Sequence, residues 1–430
     1  MFKVKKSKKL LGIVSVLALS LALAGCGPDD SDSGGSKEKA SSDNKDYDLL
    51  VWEDVEKSAG SKDAIAKFEE EHNVKIKVVE KTYAQQIEDL RLDGPAGTGP
   101  DVFTMPSDQI GTAVTEGLLK ELNVDDATKS IYTDVAMQSQ IVDGKVYGLP
   151  KAVETTVLFY NKDIIPEDQL PKTLDEWYDL SKELTDGTNY GFLALFDQIY
   201  YAQGVMSGYG GYIFGKDDSG AYNPNDIGLN NEGAIEAAEY IKKFYQDKLF
   251  PAGIIGEQGI NVLDSLFSEG KAAAVISGPW NVEPYASAGI NYGVTELPLL
   301  PNGEHMSSFI GVKSYNVSSY SKNPELAEEL VKFLANEENS RTRFEATKEV
   351  PAVKALAEDP AVTASEVAQA VAIQSQYAEL TPNIPAMNQV WKPVDAALQT
   401  IATGKAQPKD ALNQAVETIK GQIEANNASK

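Results

Sequence analysis

Cysteine and histidine are nearly absent from this chain of 430 residues, which has one cysteine and two histidines. A single cysteine excludes an intrachain disulfide, a zinc site made of thiolates and catalysis by a cysteine nucleophile. Neither His72 nor His305 stands in a metal-ligand or catalytic-triad pattern. We therefore expect no metal ion, no cofactor and no catalysis by histidine.

Positive charge is also in short supply. The chain has 39 lysines and arginines against 64 aspartates and glutamates, which gives a formal net charge of −25. Such a surface repels phosphate backbones. Nucleic acid is therefore excluded as an expected partner.

Long apolar runs are missing apart from one at the start of the chain. Residues 10–24 carry no charge and follow five lysines, and this run of about 15 residues is short for a membrane span. The pattern predicts a secretory signal peptide. It ends in Leu-Ala-Gly-Cys, which resembles a bacterial lipobox with Cys26 as the lipidated residue.

We therefore predict a lipoprotein signal peptide at residues 1–25 and a lipidated, flexible tether at residues 26–46. The tether is rich in Ser, Gly, Asp and Lys, and a random coil of that length spans about 25 Å. A diacylglyceryl group on Cys26, usually supplemented by a third acyl chain, would hold the protein at the extracellular face of the cell membrane. The lipid anchor is the only membrane contact that we expect.

Strand and helix patterns alternate after the tether. The order β-α-β-α-β over residues 47–105 predicts a parallel, doubly wound sheet in an α/β protein. Further strands are predicted at residues 156–160, 191–195 and 271–276. Helices are predicted after the capping box at Thr173, from Asn230, over residues 324–334 and over residues 411–427, which makes the C-terminal third helical.

Ligands of open parallel sheets bind beyond the carboxyl ends of the strands. The loops at these ends are rich in carboxylates, amides and aromatic rings, and they comprise residues 53–57, 81–83, 106–109, 197–201 and Trp280. Planar polar groups bind vicinal hydroxyls and aromatic faces stack on sugar rings, so this mixture suits a neutral polyol. By spacing, Trp52 and Trp177 are predicted to be core, and Trp280 and Trp391 to face a cleft.

The sequence does not match the catalytic motifs of common enzyme families. Residues 210–216 have the spacing of a phosphate loop, but Asp217 stands where Ser or Thr would bind Mg²⁺. The chain has no G-x-S-x-G, H-E-x-x-H or complete EF-hand motif. A secreted glycosidase stays open, because the separation of its two carboxylates is a spatial property.

Six separated motifs carry a resemblance to a known family. They are GPDVF at 99–103, AVETTVLFYNKD at 152–163, GGYIFG at 210–215, EGKAAAVISGPW at 269–280, NYGVTELP at 291–298 and TPNIPAMNQVW at 381–391. The chain resembles extracellular solute-binding proteins of the maltose and maltodextrin-binding type, the receptors of ATP-binding-cassette (ABC) sugar importers. The resemblance implies a type II periplasmic-binding-protein fold, with two doubly wound lobes, a hinge and a ligand cleft.

The resemblance also implies lobe boundaries. The N-lobe would comprise residues 47–152 and 311–357, and the C-lobe residues 153–310 and 358–430. The chain would cross between lobes, and the hinge would bend, near residues 152, 311 and 357.

Matching positions imply the ligand-binding residues. Polar contacts are implied at Glu56, Lys57, Asp108 and Glu154, and ring stacking at Tyr200, Trp280 and Trp391. The chain departs from the family pattern at Met105, Gln109, Gln198, Lys392 and Asp395, and Asp197 adjoins one departure. We include Gln109, Asp197 and Asp395 among the predicted ligand-binding residues.

These departures put maltose itself in doubt. The segments at 51–60, 191–201 and 278–285 resemble the galacto-oligosaccharide-binding branch of Gram-positive relatives. The prediction is therefore a monomeric, non-enzymatic receptor that binds galacto-oligosaccharides, or maltodextrins as the second choice, and delivers them to permease subunits with their ATPase. A glycosidase or a surface lectin acting on the same sugars is the alternative.

Overall fold

Alternating strands and helices open the fold in a computed structural model, which describes residues 46–217 and 221–428. The predicted signal peptide, Cys26 and nearly all of the tether lie outside the described residues. The first elements are β1 (Leu49–Glu53), α1 (Lys62–His72), β2 (Ile76–Glu80), α2 (Tyr83–Ala96) and β3 (Val102–Pro106). Strand β1 pairs in parallel with both β2 and β3, which confirms the predicted parallel sheet.

Short elements follow β3 and lead to the second sheet. They are α3 (Ile110–Thr115), α4 (Asp126–Ser130), α5 (Asp134–Gln138) and the hairpin of β4 (Ile141–Val142) and β5 (Lys145–Val146). Strands β6 (Leu149–Glu154) and β7 (Val157–Asn161) come next, and only two residues separate them. Because β6 belongs to the first sheet and β7 to the second, the chain passes between the sheets at this point.

The middle of the chain contains helices and the rest of the second sheet. Its elements are α6 (Leu174–Leu184), α7 (Ile199–Gly208), β8 (Gly215–Lys216), β9 (Tyr222–Asn223), α8 (Glu232–Gln246), α9 (Gly259–Ser268), β10 (Ala274–Ser277), α10 (Val282–Ser287) and β11 (Tyr292–Thr295). Strand β7 runs antiparallel to both β10 and β11. Helix α6 begins at the predicted capping box, in which Thr173 and Glu176 satisfy each other's backbone amides.

The chain then returns to the first sheet through β12 (Phe309–Val317). This strand runs antiparallel to β3 and β6 and parallel to the short β13 (Glu379–Leu380). Hydrogen bonds link the segment between β6 and β7 to the start of β12. The Thr155 hydroxyl lies 2.5 Å from that of Ser308 and donates to the carbonyl of Phe309. The chain from residue 46 onward forms one compact unit, and the lobe boundaries stay a prediction.

The last third of the chain is helical, as predicted. It contains α11 (Pro324–Leu334), α12 (Glu337–Thr347), α13 (Pro360–Thr363), α14 (Glu366–Gln374), α15 (Trp391–Ala402) and α16 (Pro408–Ala428). Within the described ranges, none of the helices has the length and apolarity needed to span a bilayer. Trp52 and Trp177 are buried, as predicted for core residues.

One predicted strand is wrong. Residues 191–195 are buried but form only isolated parallel bridges with the β10 region, at Tyr190 with Ala272 and at Leu193 with Val275. Gly191 lies against Ser181 of α6, where a Cβ would come within 2.6 Å of the Ser181 Cα. An apolar run indicates burial, and a buried irregular segment shares that property with a strand.

Candidate ligand-binding site

A cavity of about 250 Å³ lies at the carboxyl ends of strands β1 and β6. The charged and aromatic residues of its wall are Asp54, Lys57, Tyr83, Glu154, Trp280, Lys313, Lys348 and Glu349. Three of these are carboxylates and three are lysines, so their formal charges cancel. A wall of balanced charge with aromatic rings suits a neutral ligand that carries many hydroxyl groups.

Lys313 and Glu154 form the closest ion pair at this cavity, with 2.6 Å between Nζ and Oε1. The ammonium also lies 4.8 Å from the ring centre of Tyr83. Burial alone would lower the pKa of Lys313, but the nearby carboxylates, Glu154 above all, outweigh burial and raise that pKa. Lys313 is therefore charged at neutral pH.

Asp108 lies in the same electrostatic neighbourhood. It sits in a 3₁₀ turn, Ser107–Gln109, directly after β3. Burial raises the pKa of the Asp108 carboxyl and Glu154 raises it further, while Lys313 lowers it. Asp108, Glu154 and Lys313 thus affect one another electrostatically, and a ligand contact for Asp108 or Glu154 stays a prediction. Gln109 ends the same turn and is half-buried, although it is not among the cavity walls.

A buried charge cluster, formed by Glu53, Lys151 and Glu349, holds two walls of the cavity in place. The Lys151 ammonium lies 2.8 Å from Glu53 and 2.9 Å from Glu349. Burial opposes the charge on Lys151, but the two glutamates raise its pKa well above the usual value. Glu53 also accepts the amide hydrogen of Asp54 at 2.9 Å, so the cluster orients the residue that follows β1.

The loop after β1 carries the predicted pair Glu56 and Lys57. Glu56 is exposed and has φ of 63°, a left-handed conformation that side chains other than Gly, Asn and Asp rarely adopt. The Glu80 carboxylate accepts the amide hydrogen of Ser58 at 3.1 Å and closes the loop. Lys57 lines the cavity, whereas Glu56 is not among its wall residues.

The predicted aromatic residues form a connected series through Phe309. The ring of Tyr200 lies 6.4 Å from Trp280 and 6.1 Å from Phe309, and Phe309 lies 6.0 Å from Trp391. Trp280 is half-buried in the cavity wall. A Cβ at Gly278 would overlap its indole ring, so glycine permits this position.

A sequence model for bacterial extracellular solute-binding proteins matches residues 63–370. The chain belongs to this family. It is 68% identical to the galactooligosaccharide-binding protein of Bacillus subtilis, over 99% of this chain and all of that protein. It is 39% identical to the maltodextrin-binding protein MdxE of the same organism, over 97% of this chain and 98% of that one.

Solved structures of this solute-binding family confirm the type II periplasmic-binding-protein fold. A cyclo/maltodextrin-binding protein complexed with maltotetraose superposes with a TM-score of 0.79 at 37% identity, and the match covers 87% of this chain and 97% of that one. MalX from Streptococcus pneumoniae, in complex with maltopentaose, also gives 0.79, at 32% identity over 87% and 100% of the chains. These relatives are named as binding proteins, which agrees with the non-enzymatic prediction.

Two predicted ligand residues of this solute-binding protein have backbone partners instead. Asp197 is fully buried and accepts the amide hydrogen of Gly256 at 2.7 Å. Asp395 accepts the amide hydrogen of Ile199 at 2.7 Å, where α7 begins. Burial raises the pKa of each carboxyl to about 6, and Asp395 adds to the shift at Asp197. These bonds position the first turn of α7, which carries Tyr200, and a ligand contact for either aspartate stays a prediction.

Five of the eight charged or aromatic wall residues are missing from the set predicted by sequence: Asp54, Tyr83, Lys313, Lys348 and Glu349. Lys313 had a usable signal, because it is the one lysine in β12, a nine-residue strand that is otherwise largely buried. Asp54 and Tyr83 lie in loops that the sequence did single out. Glu349 had no signal, since only the folded chain brings it to Lys151. Within residues 46–217 and 221–428, no three His, Cys, Asp or Glu side chains are arranged to hold a metal ion.

Proposed function

We propose that this solute-binding protein captures neutral oligosaccharides in the cavity bounded by Trp280, Glu154 and Lys313. The observation that carries the proposal is the wall itself, in which an indole face and a Tyr ring accompany balanced charges. Aromatic faces stack on the C–H surfaces of sugar rings, and ionised groups form strong hydrogen bonds with hydroxyls.

Galacto-oligosaccharides are the favoured ligands. The named galactooligosaccharide-binding relative is 68% identical over nearly the whole chain, which supports this choice. Maltodextrins are the second candidate, because the 39% identical relative is named for them and similar structures hold maltotetraose and maltopentaose. The two ligands consist of C4-epimeric sugars joined by different anomeric linkages, and we place both in the same cavity.

The receptor would work at the extracellular face of the cell membrane, held by lipid on Cys26. Sugar would contact one lobe first and then the other, with hinge motion near residues 152, 311 and 357. The closed protein, a monomer, would present its sugar to the permease subunits of an ABC importer, whose ATPase drives transport. Two relatives named as maltooligosaccharide ABC transporter lipoproteins support this context.

Tryptophan fluorescence tests the ligand assignment, since Trp280 lies in the cavity wall. The purified protein is titrated with β-1,4-galacto-oligosaccharides, maltodextrins, cyclodextrins and xylo-oligosaccharides, and every sample is then analysed by thin-layer chromatography. Saturable quenching by a galactan fragment that survives intact supports the proposal. A cleaved sugar would establish a glycosidase. Weak binding to polymer alone would establish a lectin, and failure of every sugar would refute the ligand class.

A further inference from the structure

Lys313 occupies the centre of the first sheet where it meets the cavity. It lies on β12 opposite Pro106 of β3 on one side and Ala152 of β6 on the other. Both neighbouring strands end within a few residues of these partners. The backbone on both sides therefore holds the lysine, and its side chain is only 15% exposed.

The ammonium of Lys313 has more N–H donors than its ion pair with Glu154 uses. A lysine ammonium carries three N–H donors, and the structure pairs this one with Glu154 Oε1 at 2.6 Å. Its other close neighbour is the face of Tyr83, which attracts a cation but is not a hydrogen-bond acceptor of ordinary strength. Glu154 is 25% exposed, and a carboxylate has about four acceptor positions. A hydrogen-bond donor and a carboxyl acceptor thus lie side by side in the cavity wall.

A sugar hydroxyl both accepts and donates one hydrogen bond, so it matches this pair. We propose that Lys313 and Glu154 together read the configuration of one hydroxyl group of the bound sugar, which makes Lys313 a specificity-determining residue. The inference rests on the proposed function and deepens it. The correct epimer accepts from Lys313 and donates to Glu154, whereas the other epimer does neither and still displaces the water around both charges.

The positive charge of Lys313 also acts on the carboxyl groups around it. Asp108 and Asp54 lie close enough to affect the pKa of Lys313, as Glu154 does. Without the ammonium, these three carboxyl groups would lose a positive charge that they share as a neighbour. Their protonation and their preferred partners would then change together.

The test compares by isothermal titration calorimetry the affinities of two trisaccharides, β-1,4-galactotriose and maltotriose, whose sugar rings are C4 epimers and whose linkages have opposite anomeric configuration. Lys313→Met removes the charge and keeps an unbranched side chain that is one atom shorter. We expect it to weaken binding of the preferred trisaccharide by about tenfold or more and to change the other by less than about threefold. Lys313→Arg, which keeps a cation, should recover part of the selectivity.

Lys145→Met is the matched control. Lys145 also lies on a strand and also pairs with a glutamate, Glu121, at 2.7 Å, but that pair is half-exposed and lies outside the cavity. It should leave both affinities unchanged. Glu154→Gln is the second variant, and it should reduce the same selectivity ratio even if Lys313→Met does not fold.

The outcomes separate the inference from the proposed function. If the unaltered protein binds no sugar, the proposed function is refuted and the inference with it. If the unaltered protein binds sugar but Lys313→Met lowers both affinities equally, or neither, the proposed function survives and the specificity role is overturned. A loss of affinity confined to one of the two trisaccharides supports the inference.

Discussion

The ammonium of Lys151 lies 2.8 Å from the carboxylate of Glu53, and both side chains are completely buried. Glu349 completes the cluster at 2.9 Å, and the hydroxyl of Tyr315 donates to Glu53 at 3.2 Å. Buried charges tolerate such a position only when they are paired and hydrogen-bonded. The cluster therefore joins β1, β6 and the segment after α12 beside the cavity.

Removing the cation from this cluster should destabilise the fold. Lys151→Met leaves two buried glutamates without a counterion, so we expect a loss of about 3–5 kcal/mol in the free energy of unfolding. Urea unfolding measures this loss, and Lys145→Met, at a half-exposed pair, should cost far less because surface ion pairs contribute little. Equal effects of the two substitutions would contradict the role given to the cluster.

Trp280 should contribute to affinity rather than to folding. Trp280→Ala removes the indole from the cavity wall, and we expect sugar binding to weaken by about 30-fold or more, the range of an aromatic anchor. Trp280→Phe should retain part of the affinity, because a smaller ring still stacks. Calorimetry gives the affinities and thermal unfolding checks the fold. Unchanged binding by Trp280→Ala would place the sugar elsewhere.

Substitutions of Glu56 separate the cost of its backbone conformation from any contact of its side chain with sugar. Its φ of 63° costs a side chain but not a glycine, so Glu56→Gly should leave stability unchanged or raise it by about 0.5 kcal/mol. Glu56→Val, which is β-branched, should destabilise the protein by about 1 kcal/mol or more. If Glu56 grips sugar hydroxyls, Glu56→Gly must also weaken binding. Full affinity of this variant would remove Glu56 from the predicted ligand residues.

Asp197 should make stability depend on pH. Its folded pKa of about 6 lies above 3.8, the ordinary pKa of an aspartate, so the folded protein holds a proton that the unfolded chain releases. This contribution is complete below about pH 4 and is lost as pH rises through 6. Asp197→Asn removes the dependence, so its stability relative to the unaltered protein should rise by up to about 3 kcal/mol between pH 4 and pH 7.5.

Urea unfolding at several pH values measures this difference. Asp168→Asn is the control, because Asp168 is exposed and its substitution should show little dependence on pH. Asp395→Asn should behave as Asp197→Asn does, since burial raises the pKa of Asp395 to about 6 as well. A difference that stays constant with pH would show that these carboxyls are not protonated in the folded protein.

The membrane anchor has a direct chemical test. Cells that produce the protein are supplied with radiolabelled palmitate, and Cys26→Ser should abolish its incorporation because serine has no thiol to form the thioether. The protein should then leave the membrane fraction. Label that remains on the Cys26→Ser protein would contradict the lipobox prediction.

Much of the fold could be predicted from local pattern. The periodicity of β1 to β3 and of α6, α8 and α11 comes from residues that are close in sequence, so the sequence shows it. The strand prediction for residues 191–195 was wrong because burial on both sides removes the alternation that distinguishes a strand from a buried irregular segment.

The site was only partly predictable for a different reason. The loops after strands pointed to Lys57, Asp108 and Trp280, and the family resemblance pointed to Glu154. Glu349 is 198 residues from its partner Lys151, and nothing local marks such a contact. Asp197 was chosen for its place in a loop, although in the folded chain its carboxylate binds the amide of Gly256.

A crystal structure with β-1,4-galactotriose tests the central claim most directly. The account predicts a sugar ring stacked on the indole of Trp280, with one hydroxyl within about 3.2 Å of both Lys313 Nζ and a Glu154 carboxylate oxygen. The same crystals soaked with maltotriose should lack that shared hydroxyl contact. A trisaccharide bound away from Trp280, or bound there without touching Lys313, would contradict the account.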